Sequence, residues 1–272
     1  MSAIGGRPAH GEPVIDRAFA ILGAFYDTRR VLSISEISRI TSIPKATAWR
    51  LVGHLARWGA LEKIEDGRYV IGVRMWELAS LAPRGQGIRD IALPHLEDLY
   101  AATGHHVILA IRDGAEAVMV DRLSSPKAPE VAYRVGGRMP LRSTAVGRVL
   151  LAHCPLDEAN EILARGPDLE PGGALLDEAG MRGVLAHVKQ TGFSVVRRTL
   201  PSQTISVAAG IKDGNGKVVA ALSVVMPDGA AAPQALWPAV GTAARTISRS
   251  LGYKPKGAPE YVEEFRSSAA SR

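Results

Sequence analysis

Cysteine is almost absent from this 272-residue chain: Cys154 is the single one, so no internal disulfide can form. No Cys/His cluster with zinc-ligand spacing occurs either, which removes the zinc-finger and zinc-ribbon classes and makes a reducing cytoplasm the expected compartment. Apolar runs are short. None approaches the ~18 residues of a membrane-spanning helix, and the opening MSAIGGRPAHGEP lacks the apolar core of a secretory signal, so neither membrane nor export is expected. The 28 glycines and 17 prolines recur at no fixed period, which excludes collagen-like and solenoid architectures. Gly136-Gly137 and the DGNG run from Asp213 read as turns, because neither opens a phosphate-binding GxGxxG or GKS/T motif.

What is present is an ordinary globular balance of 46% hydrophobic and 22% charged residues, and at roughly 100–200 residues per domain the length predicts about two domains. Lys+Arg 33 against Asp+Glu 27 leaves +6, an excess that permits a polyanionic partner without requiring one.

The Gly/Pro-rich residues 1–12 and the tail 254–272 are expected to be mobile. Between them, Val14, Ala18, Ile21, Leu22 and Phe25 fall at helical spacing, predicting a helix to about Tyr26. Ser33-Ile34-Ser35-Glu36 reads as a capping box that starts a second, short helix. Pro44 opens a third, with Ala48, Leu51, Val52 and Leu55 as its inner stripe and Gly59 as its stop. Two short strands at 61–64 and 68–71 around Asp66-Gly67 follow, so residues 13–73 are expected to form a winged helix-turn-helix. A linker helix at 74–87, ended by Pro83, leads to a second domain at 88–253. There a helix precedes strands at 106–112, 117–123, 131–135, 193–197, 206–212 and 218–225, with helices at 144–153, 156–165, 177–191 and 234–251. The fold class is α+β: a mostly antiparallel sheet with helices packed over it.

On the third helix the outward positions are Lys45, Thr47, Trp49, Arg50 and His54. Residues near the N-terminus of such a helix reach base edges in the major groove, and Arg57 further along reaches phosphate. Arg39, Lys45, Arg50 and Arg57 face only one acid, Glu36, in that stretch, and Lys63 and Arg68 stand on the hairpin rim. A small packing module with scattered arginines fits the same pattern, and Trp49 fits either use.

The run ISEISRITSIPKATAWRLVGHLARWGALEK, followed by GRYVIGVRMWELA, resembles the DNA-binding domain of the isocitrate lyase regulator (IclR) family of bacterial transcription factors. GGRMPLRSTAVGRVLLA and KDGNGKVVAALSVVMP resemble its effector-binding half, and the likeness extends from about residue 14 to 252. Ser38 and Ser42 stand where the family usually has alanine and glycine, both still small. The resemblance implies a winged helix, a linker helix and a GAF-like domain, assembled as dimers or dimers of dimers on a palindromic double-stranded DNA operator. It places Pro44, Lys45, Ala46, Thr47, Trp49 and Arg50 at the DNA, with Arg68 and Tyr69 on the wing, and Ser33 at the start of the second helix is a further candidate DNA contact. Effector binding would shift the population between placements of the paired winged helices. No cofactor is implied.

In the second half, LRSTAVG from Leu141 puts a strand end before a helix N-terminus, where free amides and the dipole favour an anion, with Arg142, Ser143 and Thr144 as donors. Ser143 as a plain helix cap, with Arg142 solvated, explains the same residues. The family pocket maps to Leu141, Ser143, Thr144, Gly210, Ser223 and Val225. Where many members carry an acidic loop this chain has VRRTLPSQT from Val196. The expectation is a small organic acid, aromatic or branched, held by Arg142 or Arg197 over a floor of Leu141, Val207 and Leu222. RMPL at 138–141 and Cys154-Pro155 resemble regulators of phenylpropionate and related aromatic catabolism.

Enzymatic readings fare worse. His105 and His106 are strand neighbours that point to opposite faces, and His153 and Cys154 diverge by about 100° on a helix, so neither pair makes a metal site or a nucleophile with its base. A constitutive architectural repressor without ligand, and a metabolic enzyme with the winged helix as an interaction module, are the rival readings.

Overall fold

The computed structural model describes residues 13–26, 28–125, 129–166 and 176–255. The expected mobile ends therefore lie outside the described residues, apart from Lys254 and Pro255. The chain divides into two compact units, Met1–Gln86 and Gly87–Arg272.

The first unit contains α1 (Val14–Gly23), α2 (Ile34–Thr41), α3 (Lys45–Trp58), the antiparallel strands β1 (Leu61–Lys63) and β2 (Tyr69–Ile71), and α4 (Val73–Ala79). The capping box that opens α2 forms as the spacing requires. Ser33 Oγ accepts from the Glu36 amide at 3.3 Å, and the Ser33 amide donates to the Glu36 carboxylate at 2.8 Å. Ser42 then takes a left-handed turn at φ 58°, which points the chain into α3, and the Ser38 hydroxyl closes that turn on the Ile43 carbonyl at 2.7 Å. Ile21, Ile37, Ile43, Leu51, Val52, Leu61 and Tyr69 form one core beneath these elements. At the far end of α3, Gly72 passes so close to Gly59 that a Cβ would sit 2.2 Å from the Gly59 carbonyl oxygen.

Pro83 begins a helix where the sequence reading had it end one. Within 74–87, α4 stops at Ala79, and α5 (Pro83–Thr103) starts at the proline. Proline suits a first helical position because its missing amide has no partner there in any case.

The second unit continues with β3 (His106–Asp113), β4 (Glu116–Leu123), β5 (Arg138–Pro140), α6 (Ala145–Ala152), α7 (Leu156–Ala164), α8 (Glu178–Thr191), β6 (Phe193–Arg198), β7 (Thr204–Lys212), β8 (Val218–Pro227) and α9 (Trp237–Ser250). The strands pair in the order β5-β4-β3-β8-β7-β6, all antiparallel. Both sheet faces are covered. Ile205, Val207, Leu222 and Val224 point to a layer with Ala92 and Leu96 of α5 and Val240 of α9. Their alternates Ala208, Ala221 and Val225 face Val149 of α6, Ile162 of α7 and Met181 of α8.

One expected strand does not form. Residues 131–135 are irregular, and the chain joins the sheet only at β5, whose Arg138 pairs with Val118. The alternating Val131 and Tyr133 pack on the α6–α8 side and line a cavity. Gly136 at φ 75° then turns the chain toward β5.

Candidate nucleic-acid interface and ligand cavity

The buried stripe of α3 is Ala48, Leu51 and Val52, which turns Pro44, Lys45, Ala46, Trp49 and Arg50 outward and leaves Thr47 half-buried. Trp49 is 67% exposed, so it does not serve the core. Arg57 lies on the same helix and donates to His54 at 2.7 Å. α3 carries no acidic residue in its first turn, and the face it presents is basic. On the hairpin, Lys63 is exposed and Arg68 is engaged by Asp66, its Nε donating to the carboxylate at 2.5 Å. That pair holds the Asp66 carboxyl below its usual range.

Two of the DNA-facing expectations are corrected here. Tyr69 is a core residue, 8% exposed and packed with Leu32 and Leu61, because strand alternation turns it inward while its neighbour Arg68 stays out. Ser33 is committed to the capping box, its hydroxyl also donating to Glu36 at 2.7 Å. The Ser33 amide and hydroxyl in turn hold the Glu36 carboxyl below its ordinary value.

In the second unit a narrow cavity of about 40 Å³ lies between the sheet, α6 and the irregular 130–133 stretch. That is room for a few waters, at the ~10–15 Å³ that one water needs. Strand register builds its floor. Val196, Ser206 and Val225 form one cross-strand row, and Ala208, Ser223 and Ile108 form the next, all on the same sheet face. Arg198 and Thr204 sit one row further on, where Arg198 donates to the Tyr133 hydroxyl at 3.3 Å with its guanidinium 5.4 Å from that ring. Of the expected effector residues, Thr144, Ser223 and Val225 line this cavity. Thr144 caps α6, accepting from the Gly147 amide at 3.1 Å and donating to the Pro140 carbonyl at 2.7 Å.

The other expected positions fall elsewhere, each for a geometric reason. Arg142 is 3% exposed and acts as a clamp on backbone, donating to the carbonyls of Leu163 (3.2 Å), Leu176 (2.8 Å) and Gly166. Leu141 is core, and Ser143 is buried without lining the cavity. Arg197 points away from the cavity to pair with Asp228 at 3.4 Å, since adjacent strand residues face opposite ways. Gly210 lies against Val149 and Val218, lining a different cavity. Val207 and Leu222 belong to the opposite sheet face.

Sequence reasoning missed Arg198, Tyr133 and Ser206. The signal was available for two of them: counting alternate residues from Ser223 through the sheet selects Ser206 and Arg198. Tyr133 belongs to a segment read as a strand, so its partner could not be found.

His106 and His153 are each tied by hydrogen bonds within the fold. His106 bonds to Ser124 Oγ at 2.8 Å and to the Pro129 carbonyl at 2.6 Å, and burial holds its ring below the ordinary imidazole value. His153 bonds to the Val149 carbonyl at 2.9 Å and is lowered chiefly by burial, while burial pushes the Cys154 thiol up, away from a reactive thiolate. Among the described residues no group of three or more His, Cys, Asp or Glu could hold a metal, and no helix is long and apolar enough to cross a membrane.

A helix-turn-helix with an exposed basic recognition face, followed by an antiparallel-sheet domain with an internal polar-edged cavity, defines a DNA-binding regulator with an effector domain. Residues 14–65 match the IclR helix-turn-helix domain and residues 82–249 match the bacterial transcriptional regulator IclR C-terminal domain; the chain belongs to the IclR family of transcriptional regulators. It is 27% identical over 241 residues to the HTH-type transcriptional regulator KipR of Bacillus subtilis, covering 87% of this chain and 96% of that one. A crystal structure of an IclR homolog from Microbacterium hydrocarbonoxydans complexed with 4-hydroxybenzoate superposes with a TM-score of 0.82 at 30% identity, covering 88% of this chain and 99% of the other. The IclR of Thermotoga maritima gives 0.70 at 28% identity, covering 88% and 98%. The curated relatives KipR, XynR and AllR are HTH-type regulators or repressors of transcription.

Proposed function

We propose that this chain is a cytoplasmic, homo-oligomeric regulator that reads a palindromic operator beside a catabolic operon and responds to a small aromatic acid. The observation that carries the ligand class is the composition of the narrow cavity: an apolar floor of Ile108, Val196 and Val225, hydroxyls of Ser206 and Ser223, one cation, Arg198, at its edge beside Tyr133, and one acid, Glu130, on the irregular stretch across from the sheet. A flat apolar body with a single carboxylate complements that arrangement, the ring over the valines and the carboxylate at the guanidinium. The Microbacterium relative, crystallised with 4-hydroxybenzoate, supports the same class. Admission of a ring requires Arg198 and the half-exposed Leu200 to swing outward from the mouth.

Homo-oligomerisation is supported by apolar side chains left in the open on two helices of the first unit, Ile15 and Phe19 on α1 and Val73 and Trp76 on α4, each more than half exposed. A second copy would supply the second recognition helix that a palindrome with half-sites about 34 Å apart demands.

The test is genomic DNA capture with purified protein, then gel shifts on the best site with and without benzoate and 4-hydroxybenzoate. A palindromic site whose affinity one acid changes several-fold, with the response abolished and basal affinity kept in Arg198→Ala, is the expected result. An operator bound equally with and without every acid, and no acid raising the melting temperature, would establish the ligand-free repressor instead.

A further inference from the structure

A second and larger cavity, about 360 Å³, opens in the effector unit around the last turns of α8 and α9, the start of β6 and the end of β7. Four cations line it, Lys189, Lys212, Arg245 and Arg249, and among the described residues no carboxylate does. Among the described residues none of the four forms an ion pair, whereas arginines elsewhere in this unit, at 89, 112, 138, 182 and 197, are each paired with an acid. Two of the four have an ordinary explanation. Lys189 and Arg249 stand in the last turns of their helices, where a cation complements the helix dipole. Lys212 and Arg245 do not. Lys212 is a strand residue whose ammonium stands 5.1 Å from the Tyr253 ring, and Arg245 lies mid-helix, bonded to the Thr242 hydroxyl at 3.0 Å.

The concavity is built by small residues. A Cβ on Gly241 would come within 2.9 Å of the Phe193 ring and 3.1 Å of Arg245 Nη1, and one on Gly210 within 3.2 Å of Val218. Ala209 and Ala244 complete that floor. Four like charges around one hollow repel one another and concentrate a positive field there, which a bound anion relieves. His153, on the same wall, has its ring lowered first by burial and then by Lys212 and Lys189.

We propose that this hollow is a second ligand site, for a small, multiply charged anion of the phosphoryl class. A monocarboxylate would neutralise one cation and leave three facing each other. A phosphoryl or diphosphoryl group offers several oxygens to donors arriving from three elements, α8, β7 and α9, with the guanidinium forks and the ammonium groups both matched to it. The site is separate from the narrow cavity and stands or falls without it.

Calorimetry on the full-length protein with inorganic pyrophosphate, at constant ionic strength, tests this. The wild-type protein is expected to bind pyrophosphate, with benzoate failing to compete. Arg245→Gln/Arg249→Gln, two exposed positions, should weaken pyrophosphate at least tenfold with cooperative unfolding retained, while Arg198→Ala leaves it intact. No pyrophosphate binding by the wild-type protein, or equal binding by the double variant, overturns the proposal. So does a double variant that loses affinity for any duplex DNA when the wild-type protein ignores pyrophosphate, since that makes the hollow an extra backbone contact for the operator.

Discussion

The two units of this chain put their polar side chains to opposite uses. In the first, Lys45, Trp49 and Arg50 stand outside a core that has no need of them, so the side chains proposed to meet DNA and those that hold the fold are different residues of the same helix. In the second, Arg142 and Arg148 are buried beside the start of α6, and Arg148 Nε donates to the Arg142 carbonyl at 2.7 Å. There the polar groups hold the domain together, and the proposed ligand site is left the few positions that strand parity turns toward the narrow cavity. Function is therefore separable from stability in the first unit and entangled with it in the second.

Four experiments would break or sharpen that contrast. Arg142→Met removes three donors from backbone carbonyls around 163–176 and keeps an apolar stem; at ~1–3 kcal/mol per orphaned group it should destabilise the second unit by about 3 kcal/mol or more, read by denaturant unfolding. A change within about 0.5 kcal/mol would return Arg142 to the ligand set. Arg50→Ala should cost ~1–3 kcal/mol of specific operator affinity with melting unchanged, read by gel shift and calorimetry; an unaltered operator affinity would remove α3 from the groove. Ser33→Ala, which loses the cap of α2, should lower the stability of the first unit by ~1 kcal/mol and let the Glu36 carboxyl rise toward 4.5, observable by NMR titration.

The smallest effect concerns pH. His106 and His153 are held below 6.5 chiefly by burial, so the unfolded chain takes up protons first on acidification. Their stabilising contribution is present above about pH 6.5 and is lost as pH falls from there toward their folded values. Glu36 and Asp66 of the first unit are also lowered, by hydrogen bonds from Ser33 and Arg68, but their contribution holds until pH drops below the ordinary carboxylate values of 4.5 and 3.8. Between about pH 7 and pH 5 the second unit should lose thermal stability and the first should not, by calorimetry. Parallel loss in both would contradict the contrast.

The same contrast governs how much could be read from the residues alone. The start of α2 carried explicit chemistry, Ser33 with Glu36, and the outward face of α3 followed from the inward stripe of Ala48, Leu51 and Val52, whereas the cap of α6 is Thr144 and not Ser143, one residue later than the residue types suggested. Parity was the harder matter. Arg197 and Arg198 are equivalent in composition, and only the pairing of Arg198 with Thr204 shows which one meets the cavity. Tyr69 and Arg68 posed the same question on the wing. Arg142 illustrates a different obstacle: its acceptors lie 21 to 34 residues away, from the last turn of α7 to the residue before the cap of α8, contacts that no local pattern announces. Pro83 was legible as punctuation without revealing its direction, because a proline ends one helix as readily as it opens the next.

In evolutionary terms, a strand covered on both faces is two interleaved texts. On β7, Ile205, Val207 and Ile211 answer only to the layer of α5 and α9, while Thr204 and Ser206 answer to the narrow cavity. Selection for a new inducer can rewrite the second set one letter at a time while the first preserves the sheet. A lineage of such regulators could thus change what it senses and keep its architecture, and the consecutive arginines at 197 and 198 mean that a one-residue slip in β6 would still present a cation to the cavity.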